Sequence, residues 1–119
     1  MKDFRQLKVW QKSHELTLEV YRLTQKFPTE EIYGLISQIR RSVSSIPTNI
    51  AEGCGCESEA EFKRFLTIAY RSSSELDYQL ILARDLQYLI TEHYEQLYLK
   101  VNEIQRMLGS LIRKVKRNS

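Results

Sequence analysis

The sequence predicts an all-α protein, an antiparallel up-down four-helix bundle built as one domain over residues 1–119. Three observations predict it. Apolar residues recur at intervals of three and four through most of the chain, the period of one helix face. Glycine and proline number only four and two, too few for the turn chemistry a sheet protein needs every few residues. With 42% hydrophobic and 28% charged residues, the chain can bury a core and keep a polar exterior, which also argues against disorder.

The first helix is expected from Leu7 to Lys26. Val9, Leu16, Val20, Leu23 and Phe27 share one face, and Leu7, Trp10, His14 and Tyr21 form a second stripe. Two apolar stripes on one helix imply two packing neighbours or an added interface. Pro28 ends it. The second helix is expected from Thr29, whose acidic first turn (Glu30, Glu31) suits the helix dipole. Its core face is Leu35, Ile39, Val43, Ile46 and Ile50. Pro47 falls inside this run and is expected to kink the helix, because the period resumes at Ile50. Gly53-Cys54-Gly55-Cys56 should then stop it with a left-handed glycine cap and a loop.

Ser58 and Glu61 stand at capping-box spacing and open the third helix. Phe62, Phe65, Leu66, Ala69, Leu76, Leu80 and Ala83 form its inner face, and it is expected to reach Tyr88 or Leu89. Thr91 is the candidate cap of the fourth helix. Leu97, Val101, Ile104, Leu108, Leu111 and Val115 form a heptad seam there, and Arg113, Lys114, Lys116 and Arg117 suit the negative end of the dipole. Short connections make antiparallel neighbours the natural arrangement. The ends, Met1 to Arg5 and Lys116 to Ser119, are expected to fray.

The net charge of +3, from 18 basic and 15 acidic residues, gives nucleic-acid binding only weak support. No apolar run approaches the roughly 18 residues of a membrane span, so no membrane partner is expected. No signal-peptide pattern follows Met1. Cys54 and Cys56, one residue apart, suit neither a stabilising disulfide nor a four-ligand zinc site, and a cytoplasmic location is the simplest expectation.

Two stretches carry a family resemblance. Phe4-Arg5-Gln6-Leu7-Lys8-Val9-Trp10-Gln11-Lys12 and the run from Gln38 to Gly53, with its Ser-Ile-Pro-Thr-Asn-Ile-Ala-Glu-Gly portion, resemble the bundle proteins encoded in intervening sequences of bacterial 23S ribosomal RNA genes. Phe65-Leu66-Thr67-Ile68-Ala69, with Ser72, Glu75 and Leu76, matches as well. The resemblance implies a compact antiparallel bundle that assembles as a ring-shaped homopentamer. It also implies kinship of fold with the accessory variability determinant of diversity-generating retroelements, which works with a reverse transcriptase and nucleic acid. Arg71-Ser72 departs from the Gly-Ser common in the family, placing a bulky cation where a helix contact or subunit surface would lie.

The sequence offers no catalytic constellation. His14 and His93 are far apart without a metal-like partner, and no His-Glu-x-x-His, phosphate-binding glycine loop or nucleophile elbow occurs. No enzyme activity, cofactor, metal or small-molecule substrate is expected. The informative pattern is polar: Gln38, Arg41, Ser45, Asn49 and Glu52 share a stripe of the second helix, and Arg64, Arg71 and Glu75 recur on the third. Such stripes are commonly solvated faces. Here small neighbours (Ser44, Ala51, Ser72, Ser73) permit close approach, and Asn49 and Glu52 can fix register across a contact. The expected subunit-interface residues are therefore Trp10, His14, Tyr21, Arg41, Ser45, Asn49, Glu52, Arg71 and Glu75. Arg40, Lys63, Arg64, Arg113, Lys114, Lys116 and Arg117 are candidates for phosphate contacts with RNA or DNA, strengthened by repetition around an oligomer. The expected function is a homo-oligomeric interaction protein with a nucleic-acid or ribonucleoprotein partner; the rival is a pure protein scaffold.

Overall fold

A computed structural model of the chain describes residues 2–118, with side chains from Lys2 to Val115. Four helices account for most of it: α1 (Lys8–Thr24), α2 (Leu35–Cys54), α3 (Glu59–Asp85) and α4 (Thr91–Asn118). Short 3-10 turns at Phe4–Gln6 and Thr29–Glu31 precede α1 and α2. No strand occurs among the described residues. Each helix packs on its chain neighbours, α1 closes the circuit on α4, and the diagonal pairs do not meet. This is the expected up-down bundle, 45 × 23 × 20 Å.

The core follows the predicted faces. Leu16, Val20, Ile39, Val43, Ile46, Ala69, Leu76, Leu80, Leu97, Val101, Ile104 and Leu108 are all buried. Leu23 and Phe65, also expected there, are only half-buried, and Phe62 and Leu66 are the residues that carry α3 inward. Burying such apolar surface is the main force holding the helices together.

Helix ends depart most from expectation. Thr29–Glu31 forms a 3-10 turn instead of the first turn of α2. Glu31 folds back over Gly34, and its Oε1 accepts from the Leu35 N–H at 3.1 Å. A Cβ on Gly34 would sit 2.6 Å from that oxygen, so any other residue here would push the Glu31 carboxylate aside from the start of α2. Cys54 is buried as the last residue of α2, not a loop residue. The cap that follows, Gly55, is right-handed with φ −82°, so the predicted left-handed glycine is absent. Among the described residues the left-handed one is Gln87, φ 66°, which turns the chain after α3 ends at Asp85, short of the predicted Tyr88 or Leu89. Thr91 begins α4 instead of capping it, and Ile90 supplies the carbonyl to the Tyr94 N–H. Lys2 does not fray: its N–H bonds the Cys54 carbonyl at 3.0 Å, and its ammonium lies 4.3 Å from the Phe62 ring centroid.

Ser58 behaves as predicted, its hydroxyl accepting from the Glu61 N–H at 3.1 Å. The reciprocal half of the capping box is not made, because the Glu61 carboxylate pairs with Arg64. α2 runs unbroken through buried Pro47. Proline has no N–H to give to the carbonyl four residues earlier, that of Val43. Thr17 of α1 meets that carbonyl: its hydroxyl lies 3.3 Å from Val43 O and 2.7 Å from Ser13 O, sharing its hydrogen between them.

Candidate subunit interface and nucleic-acid surface

The polar stripe of α2 lies against α3. Asn49 Nδ2 donates to Ser45 O at 2.8 Å and to Ser45 Oγ at 2.9 Å. Ser45 Oγ is also hydrogen-bonded to Ser72 Oγ, 2.8 Å away, a bond either hydroxyl can donate. This three-residue relay stitches α2 to α3 where small side chains let the backbones approach. Beside it, Gln38, Arg41, Ser42, Ser45, Ser72 and Glu75 line an open groove of about 340 Å³. Arg41 and Glu75 are exposed, and neither is ion-paired among the described residues. Glu52 is exposed at the end of the stripe, likewise unpaired.

Gly53 tightens the same seam. A Cβ there would lie 3.0 Å from Phe65 Cβ and 3.1 Å from Phe62 Cδ1, so helix α3 rests on the glycine backbone. Gln79, one heptad beyond Ser72 on α3, is 6% exposed, and its Oε1 finds no hydrogen-bond partner among the described residues. Sequence reading missed Gln79 because its position on α3 reads as the edge of a solvated stripe.

The second stripe of α1 is aromatic and outward. Trp10 and His14 stack with ring centroids 5.1 Å apart and planes within 9°, and Phe4 meets Trp10 edge-on at 5.0 Å. Leu18 and Tyr21 continue the strip, 49% and 38% exposed. Leu7, assigned to this stripe by spacing, turns instead towards α4. Arg71 also separates from its predicted companions. It lies on the outer side of α3 in a shallow depression with Lys63, Arg64 and Thr67, not in the groove with Arg41 and Glu75.

The predicted phosphate contacts divide by how far the protomer already uses them. Arg40 is committed inside the bundle: Nε donates to Thr24 Oγ1 at 3.0 Å, an Nη donates to Tyr21 O at 3.2 Å, and its guanidinium covers the Tyr21 ring. It braces α2 on α1, a use that spacing could not reveal because Thr24 and Tyr21 meet it only in the fold. Arg64 is paired with Glu61 at 3.1 Å and lies over Phe65. Lys63 is half-buried and unpaired. Arg113 is exposed beside Tyr70, Asn102, Arg106 and Gly109 in a groove of about 320 Å³ between α3 and α4, whereas Lys114 faces the α1 side. The side chains of Lys116 and Arg117 lie outside the described residues.

Burial pushes the Cys54 thiol above its ordinary pKa, against a smaller lowering by Lys2. No group of three His, Cys, Asp or Glu side chains among the described residues is placed to hold a metal. No helix among them is long and apolar enough to cross a membrane.

A closed up-down bundle with a hydrogen-bonded polar seam and unpaired charges along its flank belongs to the class of small all-α four-helix-bundle proteins. The chain matches the model of the 23S rRNA-intervening sequence protein family over residues 5–110 and belongs to that family. It is also similar to a crystal structure of a protein of unknown function from the S23 ribosomal protein family of Bacteroides thetaiotaomicron VPI-5482. The two are 32% identical, with a TM-score of 0.82, and the match covers 88% of this chain and 95% of that one. No curated protein matches the chain.

Proposed function

We propose that this member of the 23S rRNA-intervening sequence family is a non-enzymatic interaction protein that works as a closed homo-oligomer, a pentamer by its family resemblance, and that the assembled copies bind nucleic acid. The observation that carries the oligomer is the α2/α3 groove. Its floor is small and already hydrogen-bonded, while Arg41 and Glu75 on its rim have no ionic partner among the described residues. A ring of identical subunits needs two different adhesive surfaces on each copy. The groove is one, with Asn49 and Glu52 along its α2 side. The aromatic strip of Trp10, His14 and Tyr21 is the other. Arg71 then sits on the outer flank of the contact.

Nucleic-acid binding draws support from Arg113 beside Tyr70 and Arg106, from Lys63, and from the neighbouring cations Lys114, Lys116 and Arg117. A single patch of this size is weak. Repetition around a ring multiplies its avidity, and binding through phosphates makes affinity fall steeply with salt.

Two measurements test the reading. Light scattering on the full chain is expected to give an oligomer mass that Arg41→Glu lowers towards the monomer, with helical content retained. A monomer at micromolar concentration for the unaltered chain overturns the oligomer. A gel shift with RNA and DNA at low salt is expected to show sequence-tolerant binding, weakened when Arg113, Lys114, Lys116 and Arg117 become glutamine while the oligomer persists. An intact oligomer that binds neither polymer at low salt leaves a pure protein scaffold.

A further inference from the structure

Two patches at opposite ends of the bundle carry opposite, unmatched chemistry. At the end where α1 starts and α4 finishes, Lys8, Arg106 and Lys114 rim a groove of about 540 Å³. None of the three is ion-paired among the described residues. The acid on the rim, Glu103, is already paired with Lys12 at 3.5 Å. The floor is apolar, formed by Leu7, Val9, Met107 and Leu111. α1 opens here without a side-chain cap and without an acid in its first turn, so its dipole adds positive potential to that of the cations. The groove therefore suits a segment that is both acidic and apolar.

The opposite end presents such a segment. In the turn before α2, Tyr33 is 97% exposed and Ile32 48% exposed, with Glu30 exposed and unpaired beside them. The turn is braced from behind. Tyr88 Oη donates to Glu31 Oε2 at 2.9 Å, and Glu31 Oε1 accepts from the Leu35 N–H. With the backbone of the turn already fixed, docking has only side chains to order, which lowers the entropic cost of association.

We propose that the α1/α4 groove is a docking site for the Glu30–Tyr33 turn of a second copy of this chain. Tyr33 and Ile32 cover the Leu7–Met107–Leu111 floor, and Glu30 meets Lys8 and Lys114. The charge and apolar complementarity of the groove and the turn argues for this occupant. The contact is head-to-tail, so it leaves the α2/α3 groove free and does not rest on the lateral assembly proposed above; it competes with nucleic acid for Lys114 but not for Arg113, which borders the α3/α4 groove. A head-to-tail contact need not close, so it strings copies or rings end to end. Each contact is small, and its ionic part weakens with salt.

Zero-length carbodiimide cross-linking of the full chain tests it, using an equal mixture of natural-abundance and 15N-labelled protein at low salt. The expected product is a heavy–light peptide pair joining Glu30 to Lys8 or Lys114. That link cannot form within one chain, because the 17 residues of α1 hold the ends apart by roughly 25 Å. Glu30→Lys is expected to abolish it. The charge-swapped partner, Lys8→Glu with Lys114→Glu, is expected to abolish it too. Mixing Glu30→Lys protein with that partner is expected to restore association, read as co-sedimentation. Tyr33→Ser is expected to reduce the yield with Glu30 still present. Absence of the heavy–light pair from unaltered protein, while other carboxylate–lysine links form, overturns the proposal. So does a yield insensitive to Tyr33→Ser. If the link is absent and a short oligonucleotide instead shields Lys8 and Lys114 from acylation, the groove belongs to nucleic acid and the proposal fails.

Discussion

The α2/α3 seam and the α1/α4 seam join the same kinds of helix by opposite means. α2 and α3 meet through Gly53 and through the Asn49–Ser45–Ser72 relay, with side chains so small that backbone and β-carbons set the distance. α1 and α4 are spanned by long side chains instead, Lys12 to Glu103 and Lys100 to Glu19, and grooves remain along their line. Close helix approach concentrates stability in short-range packing, where every methylene counts. A seam bridged by exposed ion pairs holds less energy and stays accessible to partners.

The sharpest way to break this contrast is to remove a leucine from each seam. Leu76→Ala, fully buried on α3, is expected to cost about 2–5 kcal/mol. Leu111→Ala, half-buried on the α1/α4 groove, should cost well under half as much. Thermal or urea unfolding of both variants measures the difference, and equal losses would mean the two seams are packed alike.

Overfilling comes next. Gly53→Val places methyl groups against Phe62 and Phe65 and is expected to destabilise by about 1–3 kcal/mol, more than the helix propensity of valine returns. The equivalent test on the open side is Ser110→Val on α4, in the α1/α4 groove, which should be close to neutral.

The ion pairs are expected to contribute least of the packing features. A double-mutant cycle on Lys12 and Glu103 should give a coupling of about 0.2–1 kcal/mol, falling with added salt. A coupling that is large and indifferent to salt would remove the distinction between the seams. The smallest effect concerns the turn that braces the acidic end. The hydrogen bond to Glu31 holds the Tyr88 phenol above its ordinary pKa of 10.0, with lesser upward pushes from burial and from the Glu31 and Glu30 charges. The folded state thus keeps the Tyr88 proton longer than the unfolded chain does. This contribution is complete below the unfolded pKa and is lost as pH rises through the folded one. Comparing the alkaline unfolding of Tyr88→Phe with that of the parent chain should show a shallower fall in stability above pH 10.0 for the variant.

The four faces of the bundle were legible because burial imposes a period, and Ile39, Val43, Ile46 and Ile50 or Leu97, Val101, Ile104 and Leu108 can face one way only on a helix. The ends were less legible. Whether residues 29–34 continue a helix depends on Glu31 folding over Gly34, and the stop of α3 depends on Gln87 adopting a left-handed conformation that glycine ordinarily takes. The polar stripe was found by spacing, and Ser45 and Asn49 lie together as that spacing required. What spacing lacks is the partner across the gap. Arg40 looked like a free cation, yet Thr24 and Tyr21 claim it. Arg71 looked like a neighbour of Glu75 in one site, yet the two side chains border different grooves.

Pro47 bears on how the protein comes together. With no N–H at that position, α2 denies the Val43 carbonyl the donor four residues on, and Thr17 of α1 brings it a hydrogen shared with Ser13 O. A peptide of residues 35–54 lacks Thr17, so α2 is less autonomous than its apolar face suggests. Docking of α1 then supports the middle of α2. Pro47→Ala would restore the internal bond, and Thr17→Val, damaging in the parent, should then do less harm, a dependence that a double-mutant cycle reads directly. The proline in the middle of the second helix thus makes part of that helix's hydrogen bonding depend on its neighbour, which couples local structure to packing.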